Sequence, residues 1–267
     1  MDNISVEKYG IDFPYEVQVR TDIGGREEQQ DNAYVYSDAV ATFAIVCDGM
    51  GGTEHGALAS KMTVESIRNL WKEFVIQHFQ GNIVKFFLEA MTEVDNQVFH
   101  EFGKSRGGTT VVAVVIIREK LYWFSAGDSR LYILRNGELV QATRDHNYFL
   151  QLNEQFKNGE ITQNQFQQEA ARGEALISYI GVGGLSVYDL ATVPLDLMEG
   201  DILLLTTDGL YKAIPKELIQ HILMKEDSLS VKADNLMRQI TVLKNSVALD
   251  NTTYALIKIN KRGVPNE

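Results

Sequence analysis

The chain has 267 residues, of which 45% are hydrophobic and 23% are charged, a composition typical of a globular protein with a sizeable core. Its 36 acidic and 25 basic residues give a formal net charge of −11, which repels a phosphate backbone and argues against nucleic-acid binding. The single cysteine, Cys47, cannot form an internal disulfide, so a reducing compartment is expected, with Cys47 buried as a small apolar residue.

The longest apolar run, at residues 111–117, is too short to cross a bilayer, and residues 1–10 lack the pattern of a signal peptide. We therefore expect a cytoplasmic protein with no membrane partner. No Pro- or Ser-rich linker, internal repeat or low-complexity stretch divides the chain. The simplest expectation is one domain spanning residues 1–267, acting as a monomer.

Runs of β-branched and aromatic residues predict strands, in chain order, at residues 15–20, 33–36, 42–47, 109–117, 121–126, 130–134, 201–206 and 253–259. Residues 118–120 and Asn136-Gly137 are typical of hairpin turns, so antiparallel pairing is favoured over repeated βαβ crossovers. Two helices are predicted at residues 57–79 and 83–102, separated by Gly81-Asn82. These elements indicate a layered α+β domain, with central sheets and helices outside.

Residues 145–189 form a Gln- and Glu-rich excursion, which we call the flap segment. Helices are predicted in it at residues 146–156 and 162–171, before the Gly-rich stretch at residues 181–184. Such an excursion is either a lid that takes part in recognition or a surface insertion without a special role.

Aspartates stand directly at the ends of apolar strands. Asp48-Gly49 follows the strand at residues 43–47, and Asp208-Gly209 follows the one at residues 203–207. A carboxylate in such a place is costly unless it is paired, hydrogen-bonded or bound to a cation, although Asp-Gly is also a common turn. Similar positions next to strands are occupied by Asp31, Asp128 and Asp250. Clustered carboxylates suit hard cations such as Mg²⁺ and Mn²⁺.

Other chemistries lack their sequence patterns. The five histidines and the single cysteine show no zinc-binding spacing, no Gly-x-Ser-x-Gly elbow is present, and the glycines at residues 181–184 lack the Lys-Ser/Thr of a nucleotide-binding P-loop.

Together the motifs resemble those of the PP2C (PPM) family of metal-dependent serine/threonine protein phosphatases, in the same order over nearly the whole chain. They are Arg20 to Asp31, Asp48-Gly49-Met50-Gly51-Gly52, Gly107-Gly108-Thr109-Thr110, Gly127-Asp128-Ser129-Arg130, Thr207-Asp208-Gly209-Leu210 and Asp250-Asn251-Thr252-Thr253. The second motif is similar to the form found in bacterial members. The resemblance implies a four-layer α-β-β-α sandwich, with two central, mainly antiparallel sheets.

The resemblance also implies a role for each matching residue. Asp48 would bridge two ions, M1 and M2, of Mn²⁺ or Mg²⁺, and the Gly49 carbonyl would ligate M2. Asp208 and Asp250 would complete M1, Asp31 would serve M2 directly or through water, and Asp128 would belong to a looser third site. Arg26 would bind the substrate phosphate with its guanidinium fork, although a surface salt bridge with Glu27 or Glu28 is the alternative. The two ions would activate a water for in-line attack.

Several positions depart from the family pattern. Gln30 and Gln29 replace the usual Glu and Asn, Met50 stands where eukaryotic members carry a histidine, and Thr53 stands where many bacterial members do. His55 is a candidate acid for the leaving group or a solvated histidine at a helix start. Lys212 occupies a place where some members have an acid, which leaves occupancy of the third ion open.

Three functions follow from these observations. The first is hydrolysis of phosphoserine and phosphothreonine in phosphorylated proteins, opposing a bacterial serine/threonine kinase. The second is a pseudophosphatase that acts as a regulatory binding module, suggested by Gln30 and Lys212. The third is a hydrolase of small phosphoesters.

Overall fold

Two β-sheets stacked face to face form the centre of the molecule in a computed structural model that describes residues 3–9, 15–76, 82–103, 107–244 and 248–260. The strands are β1 (Ile4–Tyr9), β2 (Tyr15–Asp22), β3 (Asp31–Asp38), β4 (Ala41–Met50), β5 (Gly108–Thr109), β6 (Val111–Ile117), β7 (Lys120–Ala126), β8 (Arg130–Arg135), β9 (Glu138–Gln141), β10 (Asp189–Leu190), β11 (Leu195–Asp196), β12 (Ile202–Thr206) and β13 (Thr252–Ile259).

The first sheet has the strand order β1-β3-β4-β6-β7-β10, with β5 paired to β4 and β11 paired to β7, and the second has the order β2-β13-β12-β8-β9. Among the described strands only β1 and β3 pair in parallel. Both predicted hairpins form. Their turns place Arg118, Glu119, Asn136 and Gly137 at positive φ, the backbone that a tight hairpin turn requires.

The helices are α1 (Thr53–Ile76), α2 (Ile83–Phe102), α3 (Tyr148–Lys157), α4 (Gln163–Glu169), α5 (Asp208–Tyr211), α6 (Lys216–Met224) and α7 (Leu229–Lys244), with a 3₁₀ turn at Ala170–Arg172. The start of α2 is fixed by Asn82, whose side-chain oxygen accepts a hydrogen bond of 2.8 Å from the Val84 amide. No helix in the described ranges is long and apolar enough to span a bilayer.

Three hydrophobic layers hold the sandwich together. Between the sheets, side chains such as Val46 and Leu203 interlock. Outside the first sheet, α1 and α2 pack on it around Trp71, which stacks on Phe43 at a ring distance of 4.9 Å. Outside the second sheet, α5, α6 and α7 cover residues such as Leu204. The order of layers is therefore α-β-β-α, which confirms the expected fold class, and Cys47 lies buried in the outer layer of the first sheet.

Some elements differ from the sequence-based predictions. The first helix begins at Thr53 rather than residue 57, and the end predicted at residues 77–79 lies outside the described residues. Strand β1 and helices α5 to α7 were not predicted. Strand β1 is short, and its alternation of apolar and polar residues is broken by the adjacent Glu7 and Lys8. Helices α5 and α6 are short, and their apolar faces become evident only against the second sheet.

The flap segment contains α3 and α4, close to where helices were predicted. An ion pair joins its two ends: Nη2 of Arg144, the residue before the segment, lies 2.6 Å from Oδ1 of Asp189, its last residue. The backbone amide of Arg144 donates a second hydrogen bond of 2.6 Å to Asp189 Oδ2. The segment is thus closed at its base.

Candidate active site

A cleft of about 600 Å³ opens where strands of both sheets end. It is lined by Gly25, Arg26, Glu27, Glu28, Gln30, Asp48, Gly49, Met50, Gly51, Thr110, Asp128, Glu174, Leu176, Asp208, Lys212, Asp250 and Asn251. Every predicted site residue except Asp31 therefore lines one cavity. Asp31 is fully buried, and its backbone lies opposite Asp48 in the β3–β4 pair.

Asp48 stands at the end of the central strand β4. Its backbone amide donates a hydrogen bond of 3.1 Å to Thr110 Oγ1, and its carbonyl accepts a hydrogen bond of 2.8 Å from the Thr109 hydroxyl. The following residue must be glycine, because a Cβ on Gly49 would lie 2.1 Å from the Gly56 carbonyl oxygen. The Gly-Thr-Thr motif thus fixes the backbone of the Asp-Gly motif.

Asp208 and Asp250 come from the second sheet, Asp208 after β12 and Asp250 before β13. The chain segments that carry them are in close contact, since a Cβ on Gly209 would lie 2.0 Å from the Asn251 carbonyl oxygen. Thr207 connects the two sheets, because its hydroxyl donates a hydrogen bond of 2.9 Å to Asp31 Oδ2. The aspartates of both sheets are therefore held as one cluster.

Burial and mutual repulsion make this cluster electrostatically unfavourable without cations. Burial, with the neighbouring Asp208 and Asp250 carboxylates adding to it, raises the pKa of Asp31 to about 8. Burial, followed by repulsion from Asp31 and Asp208, raises the pKa of Asp48 well above its usual range. Burial and Asp208 raise the pKa of Asp128 to about 6.

Two cationic side chains partly neutralise the cluster. Arg26 Nη2 lies 2.6 Å from Asp250 Oδ2, so Arg26 pairs with Asp250 and not with Glu27 or Glu28. The Arg26 side chain is nevertheless 60% exposed. Lys212 Nζ lies 2.7 Å from Asp208 Oδ2. Burial lowers the pKa of Lys212, but the Asp208 and Asp128 carboxylates outweigh this and raise it above its usual range.

Unpaired oxygens remain where a cation would bind. Asp31 Oδ1 and Asp208 Oδ1 are buried with no hydrogen-bond partner in the described part of the chain. Among the described residues, no three His, Cys, Asp or Glu side chains are close enough to hold one ion by themselves. This arrangement fits Mg²⁺ or Mn²⁺, which bind through few carboxylates and keep several waters. It does not fit a dehydrated cage for a softer metal.

The two glutamines that depart from the family pattern have defined structural roles. Gln29 Nε2 donates to the Thr21 hydroxyl at 2.8 Å, while its Oε1 accepts from the Asp31 amide at 3.0 Å. Gln30 Nε2 donates to the Gly52 carbonyl at 3.0 Å. Both side chains brace the loop that carries Asp31 and the end of β4.

The two candidate acid positions differ in place. Met50 lines the cleft, but its side chain cannot transfer a proton. His55 is exposed, packs edge-on against Phe102 at a ring distance of 5.6 Å and is not among the residues that line the cleft. This placement matches a solvated histidine near a helix start.

Three residues at the site were not recognised as positioning residues from the sequence. Asn251 accepts from the Gln30 amide at 2.8 Å and donates to the Ile23 carbonyl at 2.8 Å, so it shapes the loop that carries Arg26. Tyr211 donates a hydrogen bond of 3.0 Å to the Asp128 carbonyl, and the Arg130 guanidinium lies 3.5 Å above its ring. The only sequence signal for these contacts is that Asn251 and Arg130 lie within the quoted motifs.

The sequence profile of the family described as protein phosphatase 2C matches residues 23–242. The chain belongs to the protein phosphatase 2C family. One relative, the protein phosphatase PhpP of Streptococcus pneumoniae, is 33% identical over 253 residues, which cover 92% of this chain and 98% of the relative. Another, the serine/threonine phosphatase stp of Listeria welshimeri, is 32% identical over 249 residues, which cover 91% of this chain and 95% of the relative. Membership and these relatives identify the protein as a serine/threonine phosphatase by family.

Solved structures of phosphatase 2C relatives share the fold. The serine/threonine phosphatase of S. agalactiae superposes with a TM-score of 0.76 and 28% identity over 92% of this chain and all of that one. The catalytic domain of the phosphatase PstP, solved in complex with two manganese ions, superposes with a TM-score of 0.71 over 92% of this chain and 99% of that domain. Its identity is 24%, so this likeness concerns the fold alone.

Proposed function

We propose that this protein hydrolyses phosphoserine and phosphothreonine in phosphorylated proteins, with two Mn²⁺ or Mg²⁺ ions bound in the cleft. The observation that carries the proposal is the meeting of Arg26 with Asp48, Asp128, Asp208 and Asp250 in one cavity, above the buried Asp31. Family membership and the relative named serine/threonine phosphatase stp support the proposed activity. The PstP domain, which shares the fold, is a precedent for two manganese ions in a molecule of this architecture.

In this proposal each acidic residue keeps a distinct position. Asp48, at the end of β4, would hold both ions, and the Gly49 carbonyl beside it would serve M2. Asp208 and Asp250 would hold M1 from the second sheet, Asp31 would serve M2 from beneath the cleft, and Asp128 would belong to the edge of the site. Bound divalent ions would supply an acidified water able to attack the phosphorus atom in line.

Arg26 is the proposed phosphate-binding residue. Its exposed guanidinium leaves Asp250 and donates two parallel hydrogen bonds to the substrate phosphate, a geometry that an ammonium cannot reproduce. Asp250 is then free to hold its ion. No covalent phosphoenzyme is needed, because the attacking group is water.

The proposed setting is a single domain over residues 1–267, acting as a cytoplasmic monomer that opposes a bacterial serine/threonine kinase. The flap segment is the proposed recognition element, because Glu174 and Leu176 from it line the cleft. These assignments follow from family membership and from the position of the flap segment.

A catalytically silent binding module is the second candidate. It is favoured by one observation, that Arg26 and Lys212 already pair with Asp250 and Asp208. A hydrolase of small phosphoesters would use the same cleft and differs only in its substrate.

The deciding experiment is hydrolysis of p-nitrophenyl phosphate by metal-stripped protein, titrated with Mn²⁺ and separately with Mg²⁺. We expect turnover only when ions are added, and a protein inert at every ion concentration would contradict the proposed activity and favour the silent module. Phosphopeptides are then compared with phosphorylated metabolites. Faster hydrolysis of metabolites than of every phosphopeptide would contradict a protein phosphatase.

A further inference from the structure

Three carboxylates surround the ammonium of Lys212. Its Nζ lies 2.7 Å from Asp208 Oδ2, 3.6 Å from Asp128 Oδ2 and 3.7 Å from Glu174 Oε2. Asp128 and Asp208 are largely buried, with side chains 8% and 15% exposed. Lys212 comes from the end of α5, one helical turn after Asp208, so the pair is built into local structure.

Three carboxylates that face one point repel one another unless a cation lies between them. Here the chain supplies that cation. Asp208 divides its two oxygens between the ammonium and the interior, because Oδ2 contacts Lys212 while Oδ1 is buried and unpartnered within the described residues. Asp208 can therefore ligate an ion in the cleft through Oδ1 and hold Lys212 at the same time.

We infer that the Lys212 ammonium is a covalently attached cation that fills the place of a further divalent ion between Asp128, Asp208 and Glu174. The inference rests on the proposed two-ion function. It states that the protein is saturated by two divalent ions and that, once Lys212 is removed, Asp128 and Asp208 bind a third ion with water molecules as its remaining ligands.

A tethered ammonium differs from an ion in two physical respects. Its local concentration does not depend on the metal available in solution, so the Asp128 edge stays neutralised at any Mn²⁺ level. It also reaches Glu174 in the flap segment, which connects the edge of the cleft to that segment. The contact with Glu174 is exposed and weak, so Asp208 and Asp128 set the position of the cation.

The test counts bound Mn²⁺ per chain at saturation, by equilibrium dialysis with elemental analysis and by titration calorimetry. Wild type is compared with Lys212→Met, which keeps the length of the side chain without its charge, and with Lys212→Asp, which adds a carboxylate. Lys216→Met is the matched control, because Lys216 is exposed at the start of α6 and does not line the cleft. Circular dichroism checks the fold of each protein, and Lys212→Met decides the outcome if Lys212→Asp does not fold.

We expect two ions for wild type and for Lys216→Met, and one more ion for each Lys212 variant, bound more tightly by Lys212→Asp. Three ions on wild type, or two on both Lys212 variants, would overturn the inference and leave the proposed function intact. No bound ion on wild type would overturn the proposed function itself.

Discussion

At the scale of single residues, the two oxygens of Asp208 lie in different surroundings, because Oδ2 accepts a hydrogen bond from Lys212 while Oδ1 is buried without a hydrogen-bond partner among the described residues. Asp208→Asn keeps the shape of the side chain but removes the charge that would hold an ion. We expect kcat to fall by more than about 100-fold, beyond the loss typical of residues that only support metal ligands.

The measurement is steady-state hydrolysis at saturating Mn²⁺, with Asp234→Asn as the control, since Asp234 is an exposed acid that pairs with Arg20 and does not line the cleft. Little change in the melting temperature of metal-free protein is expected. Full activity of Asp208→Asn would refute the M1 assignment.

Arg26→Lys tests the phosphate contact. Lysine keeps the positive charge near Asp250 but replaces two parallel donors by one point charge, so KM should rise by about 10-fold while kcat changes less. Kinetics with a phosphopeptide measures both constants. Arg238→Lys, an exposed change on α7, serves as the control. An unchanged KM would show that Arg26 does not bind the phosphate.

At the scale of secondary structure, α2 holds the end of the flap segment through a buried carboxylate. Asp95, which is 1% exposed, accepts backbone hydrogen bonds from Gly181 at 2.7 Å, Gly184 at 2.8 Å, Leu185 at 3.2 Å and Gly183 at 3.3 Å. The backbone amides of this Gly-rich stretch therefore bind a carboxylate of the protein itself.

Asp95→Asn should destabilise the protein by about 3 kcal/mol, because the amide nitrogen would face donors and leave buried amides unsatisfied. Urea unfolding measures the loss. Glu89→Gln on the exposed side of α2 is the matched control and should change stability by less than about 1 kcal/mol. Equal stability of the two variants would mean that these hydrogen bonds do not contribute to the free energy of unfolding.

The ion pair at the base of the flap segment predicts a pH dependence. Burial alone would raise the pKa of Asp189, but the neighbouring His146 and the hydrogen bonds from Arg144 outweigh it and lower this pKa below its usual range. The folded state therefore binds this proton less tightly than the unfolded state. The resulting stability is fully present above the unfolded pKa of about 4 and is lost as the pH falls toward the folded value.

Urea unfolding of wild type and Asp189→Asn should thus differ by about 2 kcal/mol between pH 5 and pH 7, with the gap narrowing below about pH 4. A gap that widens as the pH falls would contradict the assignment of the ion pair.

At the scale of the whole molecule, the stacking of the two sheets forces buried aspartates together, and bound ions relieve their repulsion. Mn²⁺ at 100 times its dissociation constant should stabilise the fold by about 2.7 kcal/mol and raise the melting temperature by roughly 5 °C or more. At one fixed Mn²⁺ concentration the rise should be larger at pH 8 than at pH 6, since protons compete with ions for Asp31 and its neighbours and weaken ion binding. Thermal unfolding at both pH values measures it, and a shift independent of pH would count against ion binding to this cluster.

The sequence predicted the centre of the molecule because its signals are local. The run Val111–Ile117 is β-branched at every position except Ala113 and forms a buried strand, and Asp48-Gly49 and Asp208-Gly209 follow strands whose ends are visible in the chain. What could not be predicted depends on contacts between distant residues. In the sequence, Lys212 is only a basic residue at a place where some family members have an acid, because its contacts with Asp128 and Glu174 become evident only in the structure. Likewise, Arg26 pairs with Asp250, which is 224 positions away.

The same reason explains the missed elements. Strand β1 is an edge strand held by β3 and by Asn3, whose side chain donates to the carbonyls of Gln29 and Asp31. Its own strand pattern is too short to be decisive, since the alternation stops at Glu7 and Lys8, so the contacts with its neighbours determine it.

The closed base of the flap segment also determines how this part of the chain tolerates change in length. Because Arg144 and Asp189 fix where it leaves and rejoins the sandwich, residues added at the exposed turn between α3 and α4, around Gly159, only enlarge a loop that is already closed. Doubling the length of a flexible loop costs only about 0.6 kcal/mol. A tag or a fluorescent label inserted there should leave the cleft undisturbed, and natural insertions could diversify partner choice at the same place.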